Sequence, residues 1–167
     1  NKVSDLAPLK GAPLQHLWLS GSAVDDLTPL RDMPLKSLMV DYTEVRDLSS
    51  LTDMELEMLC IEKTRVDDLS ALRGMPLEEL NCARTPVSRL APVSNAPLVA
   101  LRIEEANITD LTPLKGMSLE RLIFTPRKIE KGIDLVRRME TIETIGADWD
   151  SRTTPVKFWR QYDAGAF

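Results

Sequence analysis

A chain of 167 residues is long enough for one domain or an extended array. Leucine fills 25 positions against eight aromatics, so any core is aliphatic. The net charge of −5 argues against a general nucleic-acid binder. No apolar run approaches the roughly 18 residues of a spanning helix, so no membrane insertion is expected. Two cysteines do not make a disulfide framework.

From the first residues the chain repeats itself every 21 positions, and six aliphatic columns hold phase. Leu14, Leu35, Leu56, Leu77, Leu98 and Leu119 form one column; Leu17, Leu38, Leu59, Leu80, Leu101 and Leu122 form the next. Leu19, Val40, Ile61, Cys82, Ile103 and Phe124 follow two residues on. Three more columns begin at Val3, Leu6 and Leu9. Around Leu17 and Leu19 the alternation has period two, which predicts a short strand in every unit. The second half, V/I-x-D-L-x-P-L, has the spacing of a tight helical turn. Thr28-Pro29 and Thr112-Pro113 suggest a hydroxyl N-cap before a proline at the first helical position, and Ser49 and Ser70 offer the cap without the proline. Gly11, Asp32, Asp53, Gly74, Asn95 and Gly116 end the turns and tolerate a left-handed conformation. Pro13, Pro34, Pro76 and Pro97 then lead into the next strand.

These residues resemble the leucine-rich repeats of internalin-type and related bacterial proteins, shortened to 21 residues. Ser22, Thr43, Thr64 and Thr85 stand where that family usually has asparagine, and Asn1 occupies the same column in the first unit. The resemblance covers residues 1 to about 148. It implies an α/β solenoid: an arc with a parallel concave β-sheet, short 3₁₀ turns on the convex side and a C-terminal helical cap. Seven strands at ~4.8 Å spacing would span roughly 30 Å. Residues 1–148 are read as the repeats and 149–167 as the capping segment.

The seventh unit is lengthened, because Ile142 and Ile145 lie 23 residues after Leu119 and Leu122. The insertion falls in 133–139 and reads as a helical turn or two. Thr154-Pro155 opens a further helix in which Val156, Trp159 and Tyr162 or Asp163 share a face. With Trp149, Phe158 and Phe167, this tail holds five aromatics, and it is expected to cap the open solenoid. A docking motif for a partner is the alternative reading. No such cap precedes the first unit. That end is expected to continue upstream or to pair with another copy, a possible self-association. No signal-peptide n-region or h-region is recognisable, which favours a cytoplasmic location. The ending Phe158-Trp159-Arg160-Gln161-Tyr162-Asp163-Ala164-Gly165-Ala166-Phe167 resembles that of large bacterial proteins whose repeats follow a serine/threonine kinase or formylglycine-enzyme-like domain. The resemblance implies such a parent protein.

With Leu17 and Leu19 inward, the concave face carries a central ladder of Trp18, Met39, Cys60, Asn81, Arg102 and Ile123. Asp41, Glu62 and Glu104 run along one flank with Tyr42 beside them, and Met58 stands on the other. A tryptophan and two methionines on an exposed sheet suit a partner surface, since Trp anchors hot spots and Met adapts. Mutual covering of these side chains is the plainer alternative. The acidic flank could select a basic peptide or be an ordinary solvated face. The repeated Asp5, Asp26, Asp47, Asp68 and Asp110 precede each turn, where a carboxylate can accept backbone N–H bonds. A calcium ladder there would lack clustered oxygen ligands. His16 alone does not make a metal site, and Cys60 and Cys82 point to opposite faces, so they should not bridge. No nucleophile, zinc or phosphate-loop motif occurs. The expected function is a non-catalytic protein- or peptide-binding module needing no cofactor or metal. Its predicted contact residues are Trp18, Met39, Asp41, Tyr42, Met58, Cys60, Glu62, Asn81, Arg102 and Glu104. A regulatory or spacer arm of a larger signalling enzyme is the second expectation.

Overall fold

The computed structural model describes residues 3–167, so Asn1 and its place in the serine/threonine column lie outside the described residues. Each unit contributes one three-residue strand. These are β1 (His16–Trp18), β2 (Ser37–Met39), β3 (Met58–Cys60), β4 (Glu79–Asn81), β5 (Ala100–Arg102), β6 (Arg121–Ile123) and β7 (Thr144–Gly146). They form one parallel sheet in sequence order. Register steps by 21 residues from β1 to β6, as in Leu17 opposite Leu38, and by 23 at the last pair, Leu122 opposite Ile145. The fold is a leucine-rich-repeat arc whose convex side is built from 3₁₀ turns such as Thr28–Leu30, Ser49–Leu51 and Ser70–Leu72.

The columns predict the core. Leu38, Leu59, Leu80, Leu101 and Leu122 are buried one above another, and so are Val45, Val66 and Val87 from the turn side. Met33, Met54 and Met75 fill the corner where each turn returns toward the sheet. At the N-terminal end Leu9, Leu14 and Leu17 are only partly covered. In the serine/threonine column the Thr43, Thr64 and Thr85 hydroxyls donate to the carbonyls of Val40, Ile61 and Cys82 at 2.6, 2.7 and 2.6 Å. A hydroxyl thus ties the strand exit to its turn in these three units, whereas the buried Ser22 hydroxyl has no hydrogen-bond partner. Ala106 has no hydroxyl to reach the equivalent Ile103 carbonyl, which accepts the Ala106 N–H at 3.2 Å, and Lys128 donates to the Ala106 carbonyl itself at 2.9 Å.

The turn chemistry differs from the sequence reading in one respect. The 3₁₀ turns at Thr28, Ser49, Ser70 and Thr112 start at the Thr or Ser itself, and the residue before each is a leucine that makes no side-chain cap. The capping group is the aspartate one position earlier. Asp5, Asp26, Asp47, Asp68 and Asp110 accept the backbone N–H of Ala7, Thr28, Ser49, Ser70 and Thr112 at 2.8–2.9 Å. The Ser49 and Ser70 hydroxyls donate to Asp47 and Asp68 as well. Gly11, Asp32, Asp53, Gly74 and Gly116 are left-handed as expected, whereas Asn95 is not.

These hydrogen bonds favour the charged form of the carboxylate. They hold Asp26, Asp47, Asp68 and Asp110 below the ordinary value of 3.8. A group made more acidic by folding contributes its stabilisation fully above the unfolded value and loses it as pH falls through the folded one. The unfolding midpoint is therefore expected to drop steadily as pH is taken below about 4. A variant carrying Asp47→Asn and Asp68→Asn keeps one acceptor oxygen for each backbone N–H but not the charge, and should flatten that slope in thermal melts. An undiminished slope would contradict the assignment.

The C-terminal end is closed in two ways. Thr153 pairs antiparallel with Ile145, N–H to carbonyl in both directions at 2.9 and 2.7 Å, so β7 gains a short partner on its outer edge. Helix α1 (Ile133–Arg137) occupies the insertion, and α2 (Pro155–Asp163) follows the edge pair. The inward residue of α2 is Phe158, fully buried against Phe124 with ring centroids 5.7 Å apart. Trp159 meets Phe158 edge-on and Phe167 stacks on it, both at 5.0 Å. The expected stripe led by Val156 is corrected here, because Val156 is 73% exposed. Phe124, the last member of its column, offers a ring where earlier units offer smaller side chains, and Phe158 is the residue that meets it.

Candidate functional site

Strands of three residues stacked in strict register place one side chain of each unit at the same height on the concave face. The central ladder runs Trp18, Met39, Cys60, Asn81, Arg102, Ile123, Gly146. Trp18 is 71% exposed. Met39, Cys60, Asn81 and Arg102 are half-buried, and Ile123 is fully buried rather than outward and open as expected. The Ser37 hydroxyl donates to the Met58 sulfur at 3.5 Å. Together they line a groove of about 620 Å³ along the sheet, with Trp18 at one end and Trp149 at the other. Lys36 on its rim is paired with Glu55 and Glu57 at 3.0 and 3.2 Å.

Cys60 lies on the groove floor, where burial pushes its thiol up to about 11. The nearby carboxylates of Asp41 and Glu62 push the same way. It is therefore a protonated thiol near neutrality, accepting from the Asn81 amide at 3.3 Å. Cys82 lies in the core, pushed by burial up to about 12, and both cysteines are free.

The acidic flank is not a solvated face. Glu62 is 7% exposed and Glu104 only 1%. Arg102 reaches across the ladder and pairs with both, at 3.3 Å to Glu62 and in close contact with Glu104. Arg84 pairs with Glu62 at 3.5 Å and with Glu105 at 3.3 Å. The Tyr42 hydroxyl donates to Glu62 at 3.2 Å, and the Asn81 amide donates to Glu62 at 3.0 Å. The neighbouring Glu62 charge, with burial, raises the Tyr42 phenol above its ordinary value. Asp41 stands apart and accepts the Ser20 hydroxyl at 2.6 Å. Of the ten predicted contact residues, the groove thus gathers Trp18, Met39, Met58, Cys60, Asn81 and Arg102. Tyr42, Glu62 and Glu104 join Arg102 in a second cavity beside it, and Asp41 lies in neither.

Trp149 was expected in the cap and instead lies on the concave side. The Arg102 and Arg152 guanidiniums lie 4.8 and 4.2 Å from its ring centroid, and Arg121 lies at 5.9 Å. Asp148 shapes this turn by accepting the N–H groups of Asp150 and Ser151 and the Ser151 hydroxyl, which lowers its own pKa. The signal in the sequence is the glycine that ends the central ladder. A Cβ on Gly146 would lie 2.8 Å from the Arg152 Cα and 2.8 Å from the Asp148 carbonyl, so only glycine lets the turn fold back onto the sheet. Gly146→Ala is expected to cost about 1–3 kcal/mol through overpacking. It should also raise the exposure of Trp149 above its present 37%. Tryptophan fluorescence and a thermal melt check both, and an unshifted emission maximum would contradict the turn's role.

The residues that continue the strands, Gly21, Tyr42, Lys63, Arg84 and Glu105, are all left-handed, with φ between 54° and 66°. Only Gly21 announces this conformation by residue type. It turns the Tyr42 ring toward the second cavity, with Lys63 5.3 Å from the ring centroid.

Among the described residues, no three His, Cys, Asp or Glu side chains are gathered in a way that could hold a metal ion. No described helix is long and apolar enough to cross a membrane. No protein-family model matches the chain, and no curated protein matches it. Solved structures do. An internalin C2 from Listeria monocytogenes superposes with a TM-score of 0.80 at 22% identity, over 87% of this chain and 66% of its own. An internalin from the same organism, InlF, gives 0.67 at 19% identity, over 89% of this chain and 52% of its own. The chain therefore spans about two thirds and one half of these neighbours, and at such identity the likeness is one of fold.

Proposed function

We propose that this leucine-rich-repeat arc is a non-catalytic protein- or peptide-binding module that uses its concave groove. The observation that carries the reading is Trp18, a large apolar side chain standing 71% exposed at the head of a groove floored by Met39, Met58 and Cys60. A rigid parallel sheet presents these side chains in fixed positions, so little conformational entropy is lost on binding. An internalin-like fold is one on which protein interaction is plausible. The predicted contacts Asp41 and Tyr42 flank the groove rather than line it.

Selection of binders from a displayed peptide library, followed by amide-shift mapping of the bound state, tests the reading. Shifts are expected on β1 to β5. Binders whose shifts cluster on the convex 3₁₀ turns would overturn it.

A spacer or regulatory arm of a larger signalling enzyme, such as a kinase, rests on the ending Phe158–Phe167 alone, and the comparisons add nothing to it. Self-association is a separate reading supported by the half-covered Leu9, Leu14 and Leu17. Sedimentation velocity over a concentration series tests it; a single invariant species would exclude it.

A further inference from the structure

We propose that the cavity beside the groove is a subsite for a cationic side chain, the guanidinium or ammonium of an arginine or lysine on a peptide seated in the groove. The proposal rests on the peptide-binding reading of the concave face and gives that partner its chemistry.

The cavity measures about 480 Å³ and holds five carboxylates, from Glu62, Glu104, Glu105, Asp148 and Asp150, against two guanidiniums, Arg84 and Arg102. The internal pairing leaves a remainder. Both oxygens of Glu62 are engaged, by Tyr42 and Arg84 on one side and by Asn81 and Arg102 on the other. Glu105 is taken by Arg84, and Asp148 is consumed in its own turn. Glu104 gives one oxygen to Arg102, while its Oε2 is buried with no hydrogen-bond partner. A buried carboxylate oxygen without a donor is costly, and such an orphan calls for an explanation. Asp150, exposed at the same cavity, has no cation beside it in any ion pair among the described residues.

The unmet demand is for a hydrogen-bond donor, and the excess of carboxylates in the lining favours a positively charged one. A metal ion does not fit, since the described carboxylates do not gather as a ligand set. A long side chain with a cationic tip does fit. Its stem can pass the Tyr42 and Trp149 rings that border the cavity, and its tip meets the unpaired Asp150 and the half-paired Glu104 carboxylate. Arg102 and Trp149 border both cavities, so a backbone lying in the groove is one side chain away from the subsite. Arg84 and Arg102 in the cavity oppose the incoming charge, but both are held by carboxylates of their own; Lys63 against the Tyr42 ring and Arg121 and Arg152 against the Trp149 ring oppose it from the border.

The test is a titration of the isotope-labelled full chain with N-acetyl-arginine amide, and with N-acetyl-citrulline amide as the uncharged match. The arginine compound is expected to shift the Trp149 indole N–H and the amides of Glu104, Glu105 and Asp150 saturably, and the citrulline compound is not. Asp150→Asn, a surface change with little risk to folding, should weaken the response about twofold to fivefold. Glu104→Gln should weaken it further if the variant folds. Equal responses to the two compounds, arginine shifts confined to other acidic surfaces, or an undiminished response in Asp150→Asn would each overturn the proposal. Loss of the subsite alone would appear as selected peptides that still map to β1 to β5 but show no preference for a basic residue. Loss of the groove reading would appear as binders mapping elsewhere.

Discussion

Phe158→Ala is expected to lower the stability of the chain by about 3–5 kcal/mol, the usual cost of emptying a buried phenylalanine site. At this chain length that corresponds to a fall in Tm of roughly 6–20 °C. The size follows from position. Phe158 is fully buried and touches the last core ring, Phe124, as well as Trp159 and Phe167. It anchors α2, which packs against β7. Arg137 reinforces the contact from α1, with its guanidinium 4.8 Å from the Trp159 centroid and 2.5 Å from an Asp163 oxygen. In a repeat array each unit is held mainly by its neighbours, so loss of an end cap is felt first by the units beside it. Hydrogen exchange in the variant should therefore lose protection at β7 and β6 before β3. A uniform loss along the arc, or a Tm within a degree or two of the parent, would show that α2 is not the cap.

The repeat made the fold readable because one register step governs every interior position. A 21-residue period in Leu17, Leu38 and Leu59 leaves a parallel stack as the arrangement that superposes all six columns, and the strands pair in that register. The concave ladder was readable for the same reason, up to Arg102. What the period does not encode was missed. Burial of Glu62 and Glu104 depends on Arg102 and Arg84 reaching across units, a contact between columns that alternation cannot show. Trp149 follows the last regular strand, where no periodicity constrains the path, and Gly146 was not recognised as the gap the returning turn needs. In α2, helical spacing identified a stripe but not which side of it meets the solenoid. Phe124 decides that, by supplying a ring for Phe158. The capping groups lie two residues before the predicted Thr and Ser, on the aspartates already read as N–H acceptors, because a 3₁₀ turn entered through an aspartate-anchored loop borrows its acceptor from further upstream than an N-cap does.

Trp18→Ala is expected to weaken binding of a concave-face peptide by about 2 kcal/mol or more, the loss typical of an aromatic anchor. At about 1.4 kcal/mol per factor of ten, this amounts to a roughly thirtyfold rise in Kd. Folding should be spared, because the side chain is already 71% exposed and its removal opens no cavity in the core. The surrounding Met39 and Met58 are half-buried and adaptable, so they shape the groove floor without standing clear of it as Trp18 does. Calorimetric titration of one selected peptide into the parent chain and into Trp18→Ala, with thermal melts of both, is the most direct measurement of the concave-groove account. The account predicts the rise in Kd together with an unchanged Tm; equal affinity for the two proteins would contradict it.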